Sequence, residues 1–356
     1  MSSKMTMQEA ISEAKRCLNC SKPLCRGGCP IEHNIPEFVR ALSEGNIGSA
    51  YATIAERSNL PAICGRVCAH EKQCEANCIL VKKNSPIPIG SLEMFIADFA
   101  HEHGLNPLPP STGKRGKVAV IGSGPAGLTV AGDLAKMDFA ITIFEGQSEP
   151  GGVLLFGIPD FRLAKDVVRR EIEILQKLGV EIITDKLIGP DMTVDTIFEQ
   201  GFDAIFMGTG TALPKILDIP GKDLSGIITA TYFLRVVVLS DAGKLDKKEV
   251  FMHENDNVVV IGAGNVAIDA ARTAIRRGAG TVTVLYHKTA EEMSCLPSEY
   301  NAALKEGIQF KFLQQPLGYL NRKQMRALTN MRDRATADDE TALAGLLVQN
   351  IIKDAD

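Results

Sequence analysis

Eight of the chain's nine cysteines lie between Cys17 and Cys78, and the ninth, Cys295, stands alone. No other feature constrains the fold as much, because thiols this close in sequence either pair as disulfides or converge on metal. The N-terminus, Met1-Ser-Ser-Lys-Met-Thr-Met, has no apolar core followed by a small-residue cleavage site, so it reads as no secretory signal. The chain is therefore expected in the cytoplasm, where disulfides are disfavoured. The spacings are Cys17-x2-Cys20-x4-Cys25-x3-Cys29-Pro30 and Cys64-x3-Cys68-x5-Cys74-x3-Cys78. A proline after the last cysteine of a run is a ferredoxin-like feature, and eight thiolates suffice for two [4Fe–4S] clusters. Zinc is the competing reading, but four-cysteine zinc sites commonly use two close pairs separated by a spacer, which these runs of four fit less well. Spacing leaves the division of ligands between the clusters open, a crossed arrangement included. Glu93, in Ile89-Gly-Ser-Leu-Glu-Met-Phe95, offers itself as a replacement for Cys64 on one iron. From spacing alone it reads as an exposed helix residue.

The charges, 39 basic against 43 acidic for a net of −4, carry no nucleic-acid footprint and no anionic-membrane anchor. No apolar stretch is long enough to span a bilayer; Arg235 interrupts the most apolar helix-like run. Residues Ala50–Ser58 and Ser91–His101 have helical patterns, and alternating strand patterns are scarce before the proline-rich linker Asn106-Pro-Leu-Pro-Pro-Ser-Thr-Gly113. Beyond it the texture changes to strand, glycine turn, helix, strand, and this plan occurs twice. Lys117–Gly122 and Ala140–Glu145 are the strands of the first unit; Asn257–Gly262 and Thr281–Tyr286 are those of the second. After about residue 320 the pattern weakens, and Thr341–Asp356 is expected to form an amphipathic helix with Leu343, Leu346, Leu347 and Ile351 on one side.

Gly122-Ser-Gly124-Pro125-Ala126-Gly127 is a GxGxxG turn: its glycines permit the tight bend, the approach of a pyrophosphate and close helix–strand packing. Glu145, closing the next strand, stands where an acid accepts hydrogen bonds from a ribose diol. The second turn, Gly262-Ala-Gly264-Asn265-Val266-Ala267, replaces the third glycine by alanine, and its following strand ends in Tyr286-His287-Lys288 with no acid. A cation there attracts a 2′-phosphate, which favours NADPH over NADH. Arg272, Arg276 and Arg277 read as surface residues, one of them available to neutralise phosphate. Two dinucleotide turns in one chain are explained economically by a flavin and a nicotinamide, with the two domains facing each other for hydride transfer.

The cysteine pattern, Gly151-Gly-Val-Leu-Leu-Phe-Gly-Ile-Pro-Asp-Phe-Arg-Leu163 and Gly264-Asn-Val-Ala-Ile-Asp-Ala-Ala-Arg-Thr273 resemble the small (beta) subunit of NADPH-dependent glutamate synthase, a module similar to the N-terminal part of dihydropyrimidine dehydrogenase. The resemblance runs from about Cys17 to about Leu313. It implies that the first turn and Glu145 hold FAD, that Gly151–Leu163, with Gly152 and Arg162, wraps the flavin, that Gly208, Thr209 and Gly210 make a second FAD contact, and that the second turn with His287 and Lys288 holds NADPH. It further implies one cluster on Cys17, Cys20, Cys25 and Cys78 and another on Cys29, Cys68 and Cys74 with Cys64 or Glu93. No side chain is needed as acid or base, because the flavin does the chemistry. The implied partner is a large catalytic subunit of glutamate biosynthesis or another electron-accepting protein. Alternatives are a subunit feeding ferredoxin:NADP, sulfide or pyrimidine reduction, or a truncated chain that keeps clusters without turnover. Departures from the family are His287 and Lys288 where two arginines are usual, Ser294 and Cys295 where proline follows Met293, Ala164 in place of proline, and a missing Gly-Asp segment that closes the FAD domain. Weak or absent FAD in the isolated chain is the consequence expected. The fold expected is α/β: a helical iron–sulfur domain over 1–105, a linker over 106–116, Rossmann-like FAD and NADPH domains over 117–225 and 226–320, and an uncertain tail over 321–356.

Overall fold

A computed structural model describes residues 5–105, 108–211, 213–250, 252–321, 324 and 343–350. The chain divides after Gly210 into two compact units.

The first unit begins with helices α1 (Met7–Lys15), α2 (Leu24–Gly27), α3 (Ile35–Ser43), α4 (Ile47–Ala55), α5 (Pro61–Val67) and α6 (Ile89–Glu102). Local chemistry starts them. Thr6 and Glu9 form a capping box on α1, Asn46 caps α4, and prolines occupy the first turns of α3 and α5, where a missing N–H costs nothing. Phe38, Leu42, Ile54, Leu92 and Ile96 are fully buried and form the centre of this layer. α5 and α6 touch backbone to backbone: a Cβ on Gly65 would stand 2.6 Å from Met94 N.

The same unit continues into a parallel sheet. Its elements are β1 (Lys117–Ile121), α7 (Pro125–Lys136), β2 (Ala140–Phe144), α8 (Val153–Phe156), α9 (Lys165–Lys177), β3 (Val180–Ile183), α10 (Val194–Glu199) and β4 (Ala204–Met207), with strand order β3-β2-β1-β4. After their first residues β1 and β2 are buried on both faces, as strands inside a covered parallel sheet are. The helical layer is fastened to this sheet by polar contacts. Asp98 of α6 accepts from Arg66 of α5 at 2.7 Å and from Arg170 of α9. Asn59 Nδ2 donates to Thr129 O at 3.0 Å and Asp133 Oδ1 at 2.6 Å, and Lys136 Nζ donates to Ala55 O at 2.6 Å.

The second unit contains α11 (Ala230–Asp241), β5 (Asn257–Ile261), α12 (Asn265–Arg276), β6 (Thr281–Leu285), α13 (Pro297–Lys305), β7 (Gln309–Lys311), β8 (Gln314–Asn321) and β9 (Leu343–Asn350). β5-β6-β7 is parallel, with Phe233, Leu234, Ile268, Ala271, Val282 and Val284 in its core. β8 and β9 pair antiparallel, Tyr319 opposite Leu346 and Pro316 opposite Val348. The amphipathic helix expected from Thr341 onward is therefore corrected: 343–350 is a strand, and Ile351 lies outside the described residues. Gly345 weakens a helix there, while β8 supplies a ladder for the segment's backbone.

Candidate redox centre and dinucleotide turns

All nine cysteines are free thiols. Cys17 follows α1, Cys25 sits in α2, and Cys78 precedes a short 3-10 turn at Ile79–Lys83. With Cys20 they line one cavity of about 280 Å³, whose inner wall is apolar (Ile35, Val39, Ile87). Burial pushes the Cys17 thiol up, and each neighbouring sulfur of Cys20 and Cys78 adds to it. The Cys25 thiol is pushed up to about 11 by burial, with contributions from Cys17, Cys78 and Cys20. Backbone N–H groups of Asn19 and Arg26 donate to Cys17 and Cys25. Asn19 adopts a left-handed φ of +49°. Four free sulfurs on one apolar-walled cavity, with amides aimed at them, match the donor chemistry of an iron–sulfur cluster.

Of the other four cysteines near the N-terminus, Cys29, Cys64 and Cys68 are half-buried and Cys74 is buried. Cys74 is 6% exposed, and its thiol is pushed up to about 12 by burial, then by the charges of Glu75, Cys29 and Glu93. The Cys64 thiol is raised by its hydrogen bond to Cys68 and by burial. Glu93 on α6 is 7% exposed, not the exposed helix residue that spacing suggests. Burial raises its carboxyl well above the ordinary range, and Cys64 and Glu171 push the same way. The cause is tertiary: α5 lies flat against α6 through Gly65 and Gly90 and covers that face. Among the described residues no three His, Cys, Asp or Glu side chains converge on a point that could hold a single metal ion. A cluster spreads its ligands around a volume, so this bears on single-ion sites alone.

The first glycine turn joins β1 to α7. Gly122 has φ +95°, and its N–H donates to Phe144 O at 2.8 Å. A Cβ on Gly127 would stand 1.9 Å from Gly122 O, whereas one on Gly124 would meet nothing within 4 Å. The turn is thus closed where helix meets strand and open at Gly124. Pro125 and Ala126 begin α7. Glu145 is 8% exposed, and its carboxylate accepts from Ser123 N at 2.9 Å, from Ser123 Oγ and from Gln147 N at 2.8 Å. Ser123 Oγ in turn accepts from Gly151 N at 2.9 Å. A Cβ on Gly152 would stand 2.8 Å from Gly124 Cα, and one on Gly122 would stand 2.6 Å from Gly208 O. The turn, the Gly151–Gly152 bend and the strand end at Gly208 therefore meet. Arg162 is half-buried; Thr209 and Gly210 are exposed. Sequence reasoning missed Ser123, fully buried and linking acid, turn and bend; its signal was a hydroxyl inside the glycine motif.

The second turn joins β5 to α12. Gly262 has φ +110° and donates to Leu285 O at 2.8 Å. The side chain of Asn265 is engaged by Leu296 N at 3.0 Å, and Cys295 N donates to Ala263 O at 3.2 Å, so the 294–296 loop is laid against this turn. A Cβ on Gly264 would come within 3.4 Å of Ser294 Oγ. Val266 is 48% exposed. His287 and Lys288 are exposed just beyond β6, whose Leu285 pairs with Ile261, the residue before Gly262. Arg272 is a correction to the surface reading: it is 8% exposed and paired with Glu299 and with Glu306 at 2.8 Å. Arg276 pairs with Glu306 at 2.6 Å and Arg277 with Asp241 at 2.5 Å, so all three arginines hold helices together.

Residues 1–105 match the family described as dihydropyrimidine dehydrogenase domain II, 4Fe-4S cluster, and residues 116–348 match the pyridine nucleotide-disulphide oxidoreductase family. The NADPH glutamate synthase small chain of Halomonas elongata is 37% identical over 336 residues, spanning 94% of this chain and 71% of that protein. The Escherichia coli small chain is 36% identical over 313 residues, 87% of this chain and 66% of its own length. The putative oxidoreductase AegA of Escherichia coli is 34% identical over 313 residues, of which this chain spans 47%. A cysteine-lined cavity followed by two glycine turns on parallel sheets, together with these likenesses, places the chain in the NADPH glutamate synthase small-chain family of iron–sulfur pyridine-nucleotide oxidoreductases.

Proposed function

We propose that this chain draws electrons from NADPH and delivers them singly to a partner protein through two [4Fe–4S] clusters. The observation that carries this reading is the pair of cysteine groups in the same compact unit as a glycine turn bearing Glu145. Cys17, Cys20, Cys25 and Cys78 would hold one cluster, a division supported by their shared cavity. Cys29, Cys68 and Cys74 would hold the other, with Cys64 or Glu93 as fourth ligand; the burial of Glu93 beside Cys64 and Cys74 supports either. Residues 117–225, through Gly122, Gly124, Gly127 and Glu145, would hold FAD, and residues 226–320, through Gly262, Gly264 and Lys288, would hold NADPH. When bound, the flavin supplies the conversion of a hydride into single electrons. This chain's residues position rather than react: Ser123 fixes the Glu145 carboxylate and the Gly151 backbone at one point.

The partner is a large subunit of the glutamate-forming type. Relatives named as beta subunits of an NADP-dependent formate dehydrogenase (Moorella thermoacetica) and an NADPH-Fe(3+) oxidoreductase (Geobacter sulfurreducens) favour, as a second reading, another acceptor for the same input module. The test is anaerobic preparation with added FAD, analysis of iron, sulfide and zinc, and NADPH-driven reduction of a one-electron dye. About eight iron and eight sulfide per chain, the content of two four-iron clusters, are expected with dye reduction. Zinc in place of iron, or no NADPH oxidation with flavin in excess, would end the proposal.

A further inference from the structure

The two cysteine groups differ in what surrounds them at the surface. Around the cavity of Cys17, Cys20, Cys25 and Cys78 stand Leu18, Leu24 and Ile79, which line it and are 61%, 63% and 45% exposed. Large apolar side chains clustered in water mark an interaction site more often than isolated ones do. The cavity lining holds one charged residue, Lys22, and no acid. The stretches 15–31 and 76–85 contain no Asp or Glu, although the chain as a whole carries 43 acids and a net charge of −4. Lys22, Lys82 and Lys83 are exposed within those stretches.

We infer that the face over the Cys17–Cys78 cavity is the docking surface for an electron-carrying protein whose own face is acidic with an apolar centre. The inference deepens the second reading of the proposed function, another acceptor for the same input module, and rests on it for the redox centre beneath. An apolar middle excludes water over the sulfurs, and the lysine rim steers and orients an acidic partner. Transient electron-transfer encounters use small interfaces, below about 1,200 Å², so a patch of this extent suffices. The step moves one electron from the reduced centre to the oxidised partner and breaks no bond. A cationic apolar surface also suits an anionic membrane. Here, though, it is built from α2, of four residues, and a 3-10 turn, not from an amphipathic helix able to lie in a headgroup layer.

The experiment measures binding of a labelled acidic plant-type [2Fe–2S] ferredoxin to the full chain carrying its clusters. Basic cytochrome c and phosphatidylserine vesicles serve as comparisons. Ferredoxin binding is expected to weaken steeply between about 20 and about 300 mM salt. Lys82→Glu/Lys83→Glu should weaken it roughly tenfold at unchanged iron and sulfide content, and Leu18→Ser/Leu24→Ser roughly threefold per cluster-bearing chain. Ferredoxin binding indifferent to the charge reversal, cytochrome c binding as tightly, or capture by vesicles in preference to ferredoxin would overturn the inference. Binding needs neither NADPH nor flavin, so its failure is separate from failure of the dye assay.

Discussion

At the first glycine turn a Cβ on Gly127 would stand 1.9 Å from Gly122 O, whereas the second turn carries Ala267 at the corresponding place. At the third position the contact is with the turn's own backbone; the sheets explain a second difference, at the first glycine. β1 lies inside its sheet, between β2 and β4, and the chain leaving β4 presses Gly208 O to within 2.6 Å of where a Gly122 Cβ would be. β5 is the edge of its sheet, and a Cβ on Gly262 would meet nothing within 4 Å. The same local motif is therefore hemmed in on one sheet and free on the other. The neighbouring strand ends bring different groups to the two turns: a buried, hydrogen-bonded acid at the first, the exposed His287 and Lys288 at the second.

The comparison breaks first at the third glycine. Gly127→Ala should cost roughly 1–3 kcal/mol or more by overpacking, and Ala267→Gly only about 0.5–1 kcal/mol of helix propensity. Urea unfolding of the two variants checks this, and equal costs would show the first turn no tighter than the second at this position. Next comes the acid. Glu145→Ala leaves Ser123 N and Gln147 N without their acceptor, at about 1–3 kcal/mol, and should abolish binding of added FAD. Glu145→Gln, which keeps an acceptor oxygen, should retain part of it, as flavin absorbance per chain reports. The second turn is probed by Lys288→Glu. A roughly tenfold rise in KM for NADPH, with KM for NADH nearly unchanged, is expected if this lysine faces a 2′-phosphate.

A pH-dependent effect concerns the join between the first sheet and the cysteine layer. Glu171 of α9 is 2% exposed, accepts from Ala62 N, and is pushed by burial up to about 8 despite Arg170 and Arg66. The native state thus holds an extra proton between about pH 4.5 and about pH 8, so stability is present at the acid end and falls as pH rises through that window. Unfolding free energies of the native chain and Glu171→Gln should coincide at low pH and separate toward pH 8 in favour of the variant; parallel curves would place Glu171's titration in the ordinary carboxylate range.

Much of this protein was legible as a string of residues. The glycine turns could be read because a backbone with φ of +95° or +110° excludes most side chains, leaving a signature that needs no partner to be seen. The strands on either side of them, and the grouping of eight thiols near one end, are equally local. Folding in three dimensions settled the rest. It placed Cys78 on the same cavity wall as Cys17, buried Glu93 under α5, turned Arg272 toward Glu299 and Glu306, and drew 343–350 into a ladder with β8. Each of those outcomes depends on segments distant in sequence. Exposure, charge pairing and strand partners are properties of contacts, and a residue's own identity carries no record of which contacts it will make.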